Sequence, residues 1–263
     1  LESQFVDVGI AEEHALCMAS GMAVSGAKPY VAVYSSFLQR AYDQLIHDIC
    51  LNDCAVTLCI DRSGFVGGDG ETHQGVYDLS YLRTMKEMNI FSPKDLEELD
   101  AVLEWSAGFE HPLAIRYPKY VPVHKYSTHE KIERSRWEWL KNDGEDVVVL
   151  ACGAVMNDLA MSLHEKRGGF DIVNARFVRP MDEEILNKIK DKKIITLEDN
   201  VLSGGFGSGV AEYYLSKGLR VPEMICKAVD ESKLTHATLS RLMELCGFTE
   251  EALSQDIDNL KRK

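Results

Sequence analysis

Apolar and polar positions along this chain follow two periods, and the switches between them mark out strands and helices. Residues 5–8 and 30–34 are short β-rich runs and predict strands. Residues 55–60 form a continuous apolar run, the pattern of a strand buried on both faces in a parallel sheet. Residues 12–25 predict a helix whose Ala15, Ala19, Gly21 and Ala23 permit close packing. Residues 37–50 predict a second helix, with Leu38, Ala41, Leu45 and Ile49 on one face. A strand over 89–91 leads into Ser92-Pro93-Lys94-Asp95, a helix start with proline in its first turn, followed by a helix over 96–109 and a strand over 113–117. Proline, charge and the polar run 141–144 then interrupt the pattern between 118 and 146, predicting a linker with a short strand and helix. The alternation resumes with strands at 147–151, 171–175, 194–197 and 222–226. Helices are predicted at 154–166, 182–190, 210–215 and from Thr238 onward. Such alternation requires crossover connections and parallel sheets. The expected fold is α/β, with two domains, each a mainly parallel sheet flanked by helices: residues 1–120, a linker over 121–145, and residues 146–263.

Length and composition narrow the class. The 263 residues, 45% hydrophobic, suffice for one large or two modest cores. No apolar run reaches the roughly 20 residues of a membrane span, and no signal peptide is visible. With 29 basic and 42 acidic side chains the net charge is −13, which disfavours nucleic acid and anionic membranes as partners. An anionic substrate would then need a local arginine cluster. The seven cysteines are odd in number and irregularly spaced, and Cys50 and Cys54 have no second pair or nearby histidine to complete a zinc set. They predict free thiols in a reducing compartment, hence a cytoplasmic protein. The chain opens on Leu1 and almost at once on its first predicted strand, so an upstream segment, trimmed or on another chain, is expected.

Candidate chemistry begins at Glu12, set among Ile10, Ala11 and Ala15 at a turn into a helix. Desolvation there would raise its pKa and let it share a proton with a ring nitrogen. Alone, it reads first as a helix N-terminal acid favoured by the dipole. Arg62 and Arg116, taken singly, suit surface ion pairs. His73 sits in a loop with Gly67, Gly68, Gly70 and Gly75, which suits close approach to a ligand or simple bracing of the loop. The run 204–209 follows a strand and precedes a helix, but its glycine spacing does not match a dinucleotide fingerprint; close backbone packing is expected.

Read together, several stretches carry more. They are Asp7-Val8-Gly9-Ile10-Ala11-Glu12-Glu13-His14-Ala15, Tyr34-Ser35-Ser36-Phe37-Leu38-Gln39-Arg40, Asp61-Arg62-Ser63-Gly64, Asp69-Gly70-Glu71-Thr72-His73-Gln74-Gly75, Arg116-Tyr117-Pro118 and Glu198-Asp199-Asn200. Along nearly its whole length the chain resembles the 1-deoxy-D-xylulose-5-phosphate synthases of the transketolase superfamily. It matches their pyrimidine-binding and C-terminal domains, with the opening strand and helix of the former missing. The resemblance implies a thiamine-diphosphate-dependent transferase that condenses pyruvate with glyceraldehyde 3-phosphate, losing CO2, on the way to isoprenoid precursors, thiamine and pyridoxal. It implies that Glu12 meets the aminopyrimidine ring and Phe37 stacks on it. Tyr34, Arg62 and Arg116 would hold the acceptor's phosphate, with Arg40, Asp69 and His73 lining the substrate channel and His73 moving a proton or stabilising an oxyanion. A homodimer is implied as well.

Two departures qualify this picture. In full-length relatives an upstream domain binds the diphosphate through Mg2+, with a Gly-Asp-Gly and downstream Asn signature that is not read here. This chain would therefore carry part of a site, be inactive without that domain, and depend on it in cis or as a separate chain. After Arg116-Tyr117-Pro118 the family usually continues Arg-Gly, whereas this chain has Lys119-Tyr120, which bears on the phosphate pocket or the linker. The alternative reading is a subunit of a split transketolase-like enzyme acting on other sugar phosphates.

Overall fold

Four parallel strands and one antiparallel edge strand make up each of two sheets in the computed structural model, which describes residues 4–120, 122–126 and 129–262. In the first sheet β1 (Tyr30–Tyr34), β2 (Thr57–Asp61), β3 (Asn89–Phe91) and β4 (Leu113–Arg116) run in the order β1-β2-β4-β3. In the second, β6 (Val147–Ala151), β7 (Asp171–Asn174), β9 (Lys193–Val201) and β10 (Met224–Val229) run β10-β9-β6-β7. The fifth strands are exchanged in character: β5 (Glu138–Lys141) pairs antiparallel with β7, and β8 (Phe177–Arg179) crosses back to pair antiparallel with β3. The strands carry continuous apolar residues because both faces are covered, and all five residues of β6 are buried.

The helices are α1 (Glu12–Val24), α2 (Ser35–Leu38), α3 (Tyr42–Gln44), α4 (Asp78–Leu82), α5 (Leu96–Ser106), α6 (Ala154–Arg167), α7 (Glu183–Lys188), α8 (Phe206–Ser216), α9 (Leu239–Leu245) and α10 (Glu250–Lys261). Several start where a side chain satisfies free amides: Asp95 accepts from Glu98 N at 2.7 Å, and Asp182, Thr238 and Thr249 cap α7, α9 and α10 in the same way.

Four expectations change. Residues 5–8 form no strand; Phe5 and Val6 are 77% and 57% exposed, because β1 is the edge of its sheet and residues 5–8 pair with nothing. The single helix expected over 37–50 is broken into α2, a 3-10 turn (Gln39–Ala41), α3 and a π-helical segment (Leu45–Cys50). The amides of Leu51 and Cys54 bond to Ile46 and Ile49, five residues back, so the apolar face survives while its pitch changes. The linker carries the expected short strand, β5, but no helix among its described residues. The strand β8 was not foreseen.

A buried ionic cluster joins the two sheets. Lys94, fully buried, lies 2.5 Å from Glu138 on β5 and 3.5 Å from Glu98 on α5, and Glu98 also pairs with Arg176 at 3.2 Å. Asn174 at the end of β7 donates to both glutamates.

Candidate active site

The carboxyl ends of the parallel strands β1, β2 and β4 bring together Tyr34, Asp61 and Arg116, since register aligns Tyr34 with Asp61 and Ile60 with Arg116. Ligands of open α/β sheets bind beyond such ends, where strand order reverses. The first sheet meets this condition, because β4 is inserted between β2 and β3.

A cavity of about 350 Å³ lies against β1 and the start of α1, lined by Ile10, Glu12, Leu16, Tyr34, Phe37 and Arg40 among others. The Glu12 side chain is 12% exposed, and its Oε2 is buried without a hydrogen-bond partner. The nearest cation is Arg40, 3.5 Å from that oxygen, and Arg40 also lies 3.9 Å from Glu13. A buried carboxylate oxygen lacking a donor costs about 1–3 kcal/mol or more, so a donor supplied from the cavity would be held firmly. Phe37 is 36% exposed rather than a core residue; it stacks on Tyr34 at 5.3 Å and meets the His73 ring edge-on at 5.3 Å. An aromatic ring beside a buried acid that lacks a hydrogen-bond donor fits a heteroaromatic ring with an acidic or basic nitrogen.

Tyr34 connects this cavity to a charged cluster. The Arg62 guanidinium lies 3.8 Å from the Tyr34 ring centroid, pairs with the neighbouring Asp61, and comes within 3.5 Å of Asp69. Lys119 completes the cluster, 2.7 Å from Asp69. Lys119, then Arg62 and His73, hold the Asp69 carboxyl below the usual carboxylate range. His73 Nδ1 lies 3.0 Å from Thr72 Oγ1. The loop that delivers Asp69 and His73 is pinned at its ends by paired hydrogen bonds between Gly64 and Gly75, of 2.7 and 2.9 Å. The tripeptide Gly68-Asp69-Gly70 does spell Gly-Asp-Gly, but its acid faces Arg62 and Lys119. Among the described residues no group of three or more His, Cys, Asp or Glu side chains could hold a metal ion.

Arg116 is placed differently from Arg62. It is 1% exposed and makes four hydrogen bonds: two to Asp78, one to Asp199 at 2.8 Å and one to Ser92. Asp78 also accepts from Ser63 Oγ at 3.0 Å, so Arg116 sits one residue and one carboxylate away from Arg62. Its guanidinium is committed to fixing that turn and does not reach the cavity lining. The glycine run at 204–209 closes on an internal carboxyl group: Glu198 accepts from the amides of Phe206 and Gly207 at 2.6 and 2.8 Å, at the start of α8. That is the close packing expected from sequence. Asp78 escaped the sequence reading; Lys119 left a signal only as a departure from the family pattern, and Asp61 and Glu198 only as members of family-like stretches to which no role was given.

Comparison with known proteins identifies the family of both domains. Residues 2–121 match the model of the transketolase pyrimidine binding domain, and residues 136–253 that of the transketolase C-terminal domain. The chain is 41% identical to a 1-deoxy-D-xylulose-5-phosphate synthase of Clostridium perfringens (strain SM101 / Type A) and 42% identical to that of Clostridium tetani (strain Massachusetts / E88), over 98% of its own length in each case. It spans 42% of the length of these relatives. Its fold is similar to a solved split gene transketolase, described as an inactive beta4 tetramer, with a TM-score of 0.83 at 24% identity, covering 98% of this chain and 84% of that one. Transketolase from Campylobacter jejuni gives a TM-score of 0.71 at 16% identity, over 97% of this chain and 39% of that one. Both domains and these relatives together show that the chain belongs to the transketolase family.

Proposed function

We propose that this chain supplies the pyrimidine-binding part of a thiamine-diphosphate site and the acceptor-binding part of a 1-deoxy-D-xylulose-5-phosphate synthase. The observation that carries this reading is the Glu12 Oε2, buried with no hydrogen-bond donor and only the Arg40 ion pair, in a cavity bordered by the half-exposed Phe37. Thiamine diphosphate, when bound, supplies an electron sink that lets pyruvate lose CO2 and couple to an aldehyde. Glu12 holds or moves a proton at the ring nitrogen, and Arg40 keeps the carboxylate oriented through their ion pair. Phe37 offers a stacking face, and His73, whose ring edge meets Phe37, is positioned to exchange a proton with the acceptor oxygen. Arg62, braced by Asp61 and by the Tyr34 face, meets the acceptor's phosphate. Arg116 sets the geometry of the Arg62 turn through Asp78 and Ser63. The diphosphate and its Mg2+ would be held by a partner domain, in cis or on another chain, in a homodimeric assembly in the cytoplasm. No helix among the described residues is long and apolar enough to cross a membrane.

The residue-level test is Glu12→Ala in the complete enzyme. Turnover of pyruvate with glyceraldehyde 3-phosphate should fall by at least about a thousandfold, the upper part of what proton-transfer groups contribute. Retention of wild-type rates would remove Glu12 from the reaction. A second reading, a subunit of a split transketolase-like enzyme acting on other sugar phosphates, is favoured by the 84% coverage of a separately encoded chain. An acceptor screen with pyruvate as donor, compared with ketose phosphate donors, separates the two.

A further inference from the structure

We infer that the cavity between residues 83–89, β8 and α8 is a separate anion site, built to take the phosphate group of a small organic phosphate on Arg134 and Arg179. Its lining includes neither the residues around Glu12 nor the Arg62 cluster, so the inference stands whichever reaction the enzyme performs.

In a chain of net charge −13, five basic side chains line this cavity against three acids. Three of the five are balanced: Arg83 lies 2.7 Å from Glu212, Lys86 3.2 Å from Glu87 and Lys217 2.9 Å from Glu183. Arg134 and Arg179 are not. Among the described residues no carboxylate lies within 4.0 Å of either guanidinium. Arg134 donates Nε to Asn89 Oδ1 at 2.8 Å, and Arg179 donates to the carbonyls of Arg83 and Lys86 at 2.8 and 3.0 Å. All three acceptors are neutral. A guanidinium carries five N–H donors, so each arginine keeps donors in reserve with no acceptor from the chain.

Anchoring distinguishes this pair from surface arginines free to swing. Asn89 is buried, starts β3 and holds Arg134; the next residue, Ile90, is the register partner of Arg179. Both guanidiniums are therefore secured to the same end of β3. Burial, then the neighbouring Arg83, lowers the pKa of Arg179, so its charge is kept there against a cost that a bound anion would offset. Gly209 on α8 lets the Arg83 guanidinium lie close by, since a β-carbon there would stand 2.3 Å from its Nη2.

Two guanidiniums with free donors match a phosphate dianion, whose oxygens accept paired N–H bonds. The cavity, about 560 Å³, is of the size that takes small organic ligands and has room for more than a phosphate group. Val178, Met181 and Tyr213 offer an apolar wall to the ligand's carbon skeleton. A ligand seated there would touch segments of both domains and tie them together.

Hydrogen exchange on the complete enzyme, saturated with thiamine diphosphate and Mg2+, tests this with glycerol 3-phosphate and pyrophosphate as probes. Either probe, by slowing exchange over residues 86–90 and 206–217, would support the site, and the one that acts at lower concentration tells a monophosphate from a diphosphate ligand. Arg134 stands on an exposed turn, so Arg134→Gln should fold. It should raise the half-saturating concentration about tenfold, the worth of one charge-assisted hydrogen bond, and Arg134→Lys should recover part of the loss. Glu87→Gln removes the acid that draws on Arg179 and should tighten binding several-fold. All three variants should keep the basal turnover. No protection by either probe, protection confined to residues 61–75, or Arg134→Gln binding within about twofold of wild type would overturn the inference. So would unchanged or weaker binding in Glu87→Gln, because anions would then not be drawn to Arg179.

Discussion

At the residue scale, close approach explains positions that composition could not. Gly64 has φ +73°, and a β-carbon there would lie 2.1 Å from Asp199 Oδ2. It therefore meets both a backbone penalty and a direct collision with a carboxylate already held by Arg116. Gly64→Ala should cost about 2–3 kcal/mol, read as a lowered urea midpoint at unchanged slope. Gly21, inside α1, meets nothing within 4 Å, and Gly21→Ala should instead stabilise by up to about 1 kcal/mol. Equal effects at the two sites would show that the collision with Asp199 is relieved at no cost. Glu198 gives a second residue-scale prediction. Burial pushes its carboxyl up from 4.5 to about 8, against the pull of two backbone amides. A folded pKa above the unfolded one means that the folded state binds the proton more tightly. Its contribution is therefore complete below about pH 4.5 and lost as pH rises through about 8. Stability should decline across that window with a slope of at most about 1.4 kcal/mol per pH unit from this group. Glu198→Gln should flatten the decline, as followed by denaturant midpoints at several pH values; an unchanged profile would mean that another group carries it.

At the scale of elements, the loop between Gly64 and Gly75 carries Asp69 and His73 into the site. Its ends are pinned by the glycine pair, and its interior by Gln74, which is 5% exposed and accepts from Val66 N at 3.0 Å. Gln74→Ala should leave the Val66 amide unpartnered and open the loop locally, at a cost of about 1–3 kcal/mol. Hydrogen exchange over residues 65–74 should then quicken while β2 and β4 keep their protection. Acceleration confined to those strands would locate the effect elsewhere. The regular elements were legible because period and burial agree in them: β1, β3 and β6 fall on the expected residues, and α1 and α6 within one residue of them. What the sequence could not reveal depended on distant partners. Residues 5–8 have strand composition but no ladder to join. The π segment Leu45–Cys50 keeps an apolar face that a plain helix would also give. The three-residue β8 exists only because β3 offers an edge, secured where Phe177 meets Phe91 at 4.9 Å. The grouping of Tyr34, Phe37, Arg62, Asp69 and His73 was carried by motif resemblance alone. The commitment of Arg116 was hidden because Asp78 and Asp199 lie far from it in sequence, on either side.

At the scale of the whole molecule, the two sheets are held in register with each other by buried charge as well as by apolar packing. Lys94, Glu98 and Glu138 are nearly or fully inaccessible, and they join the start of α5 to β5 on the far sheet. Taking such charges out of water costs several kcal/mol per ion, and their mutual attraction only offsets this while every partner is present. Arg176 and Asn174 support Glu98, but among the described residues Glu138 has Lys94 as its one cationic partner. Lys94→Met, which keeps the length of the stem, should therefore destabilise by about 3–5 kcal/mol, because it leaves Glu138 charged and unpaired next to Glu98. Adding Glu138→Gln removes the orphaned charge and keeps an acceptor for Asn174, so the double variant should recover at least half of that loss. Urea unfolding followed at the tryptophans, with Trp137 and Trp139 flanking Glu138, reads the cycle directly. Strictly additive losses would mean that Lys94 and Glu138 stabilise the fold independently, and the join between the sheets would then rest on Phe177, Trp105 and their apolar neighbours.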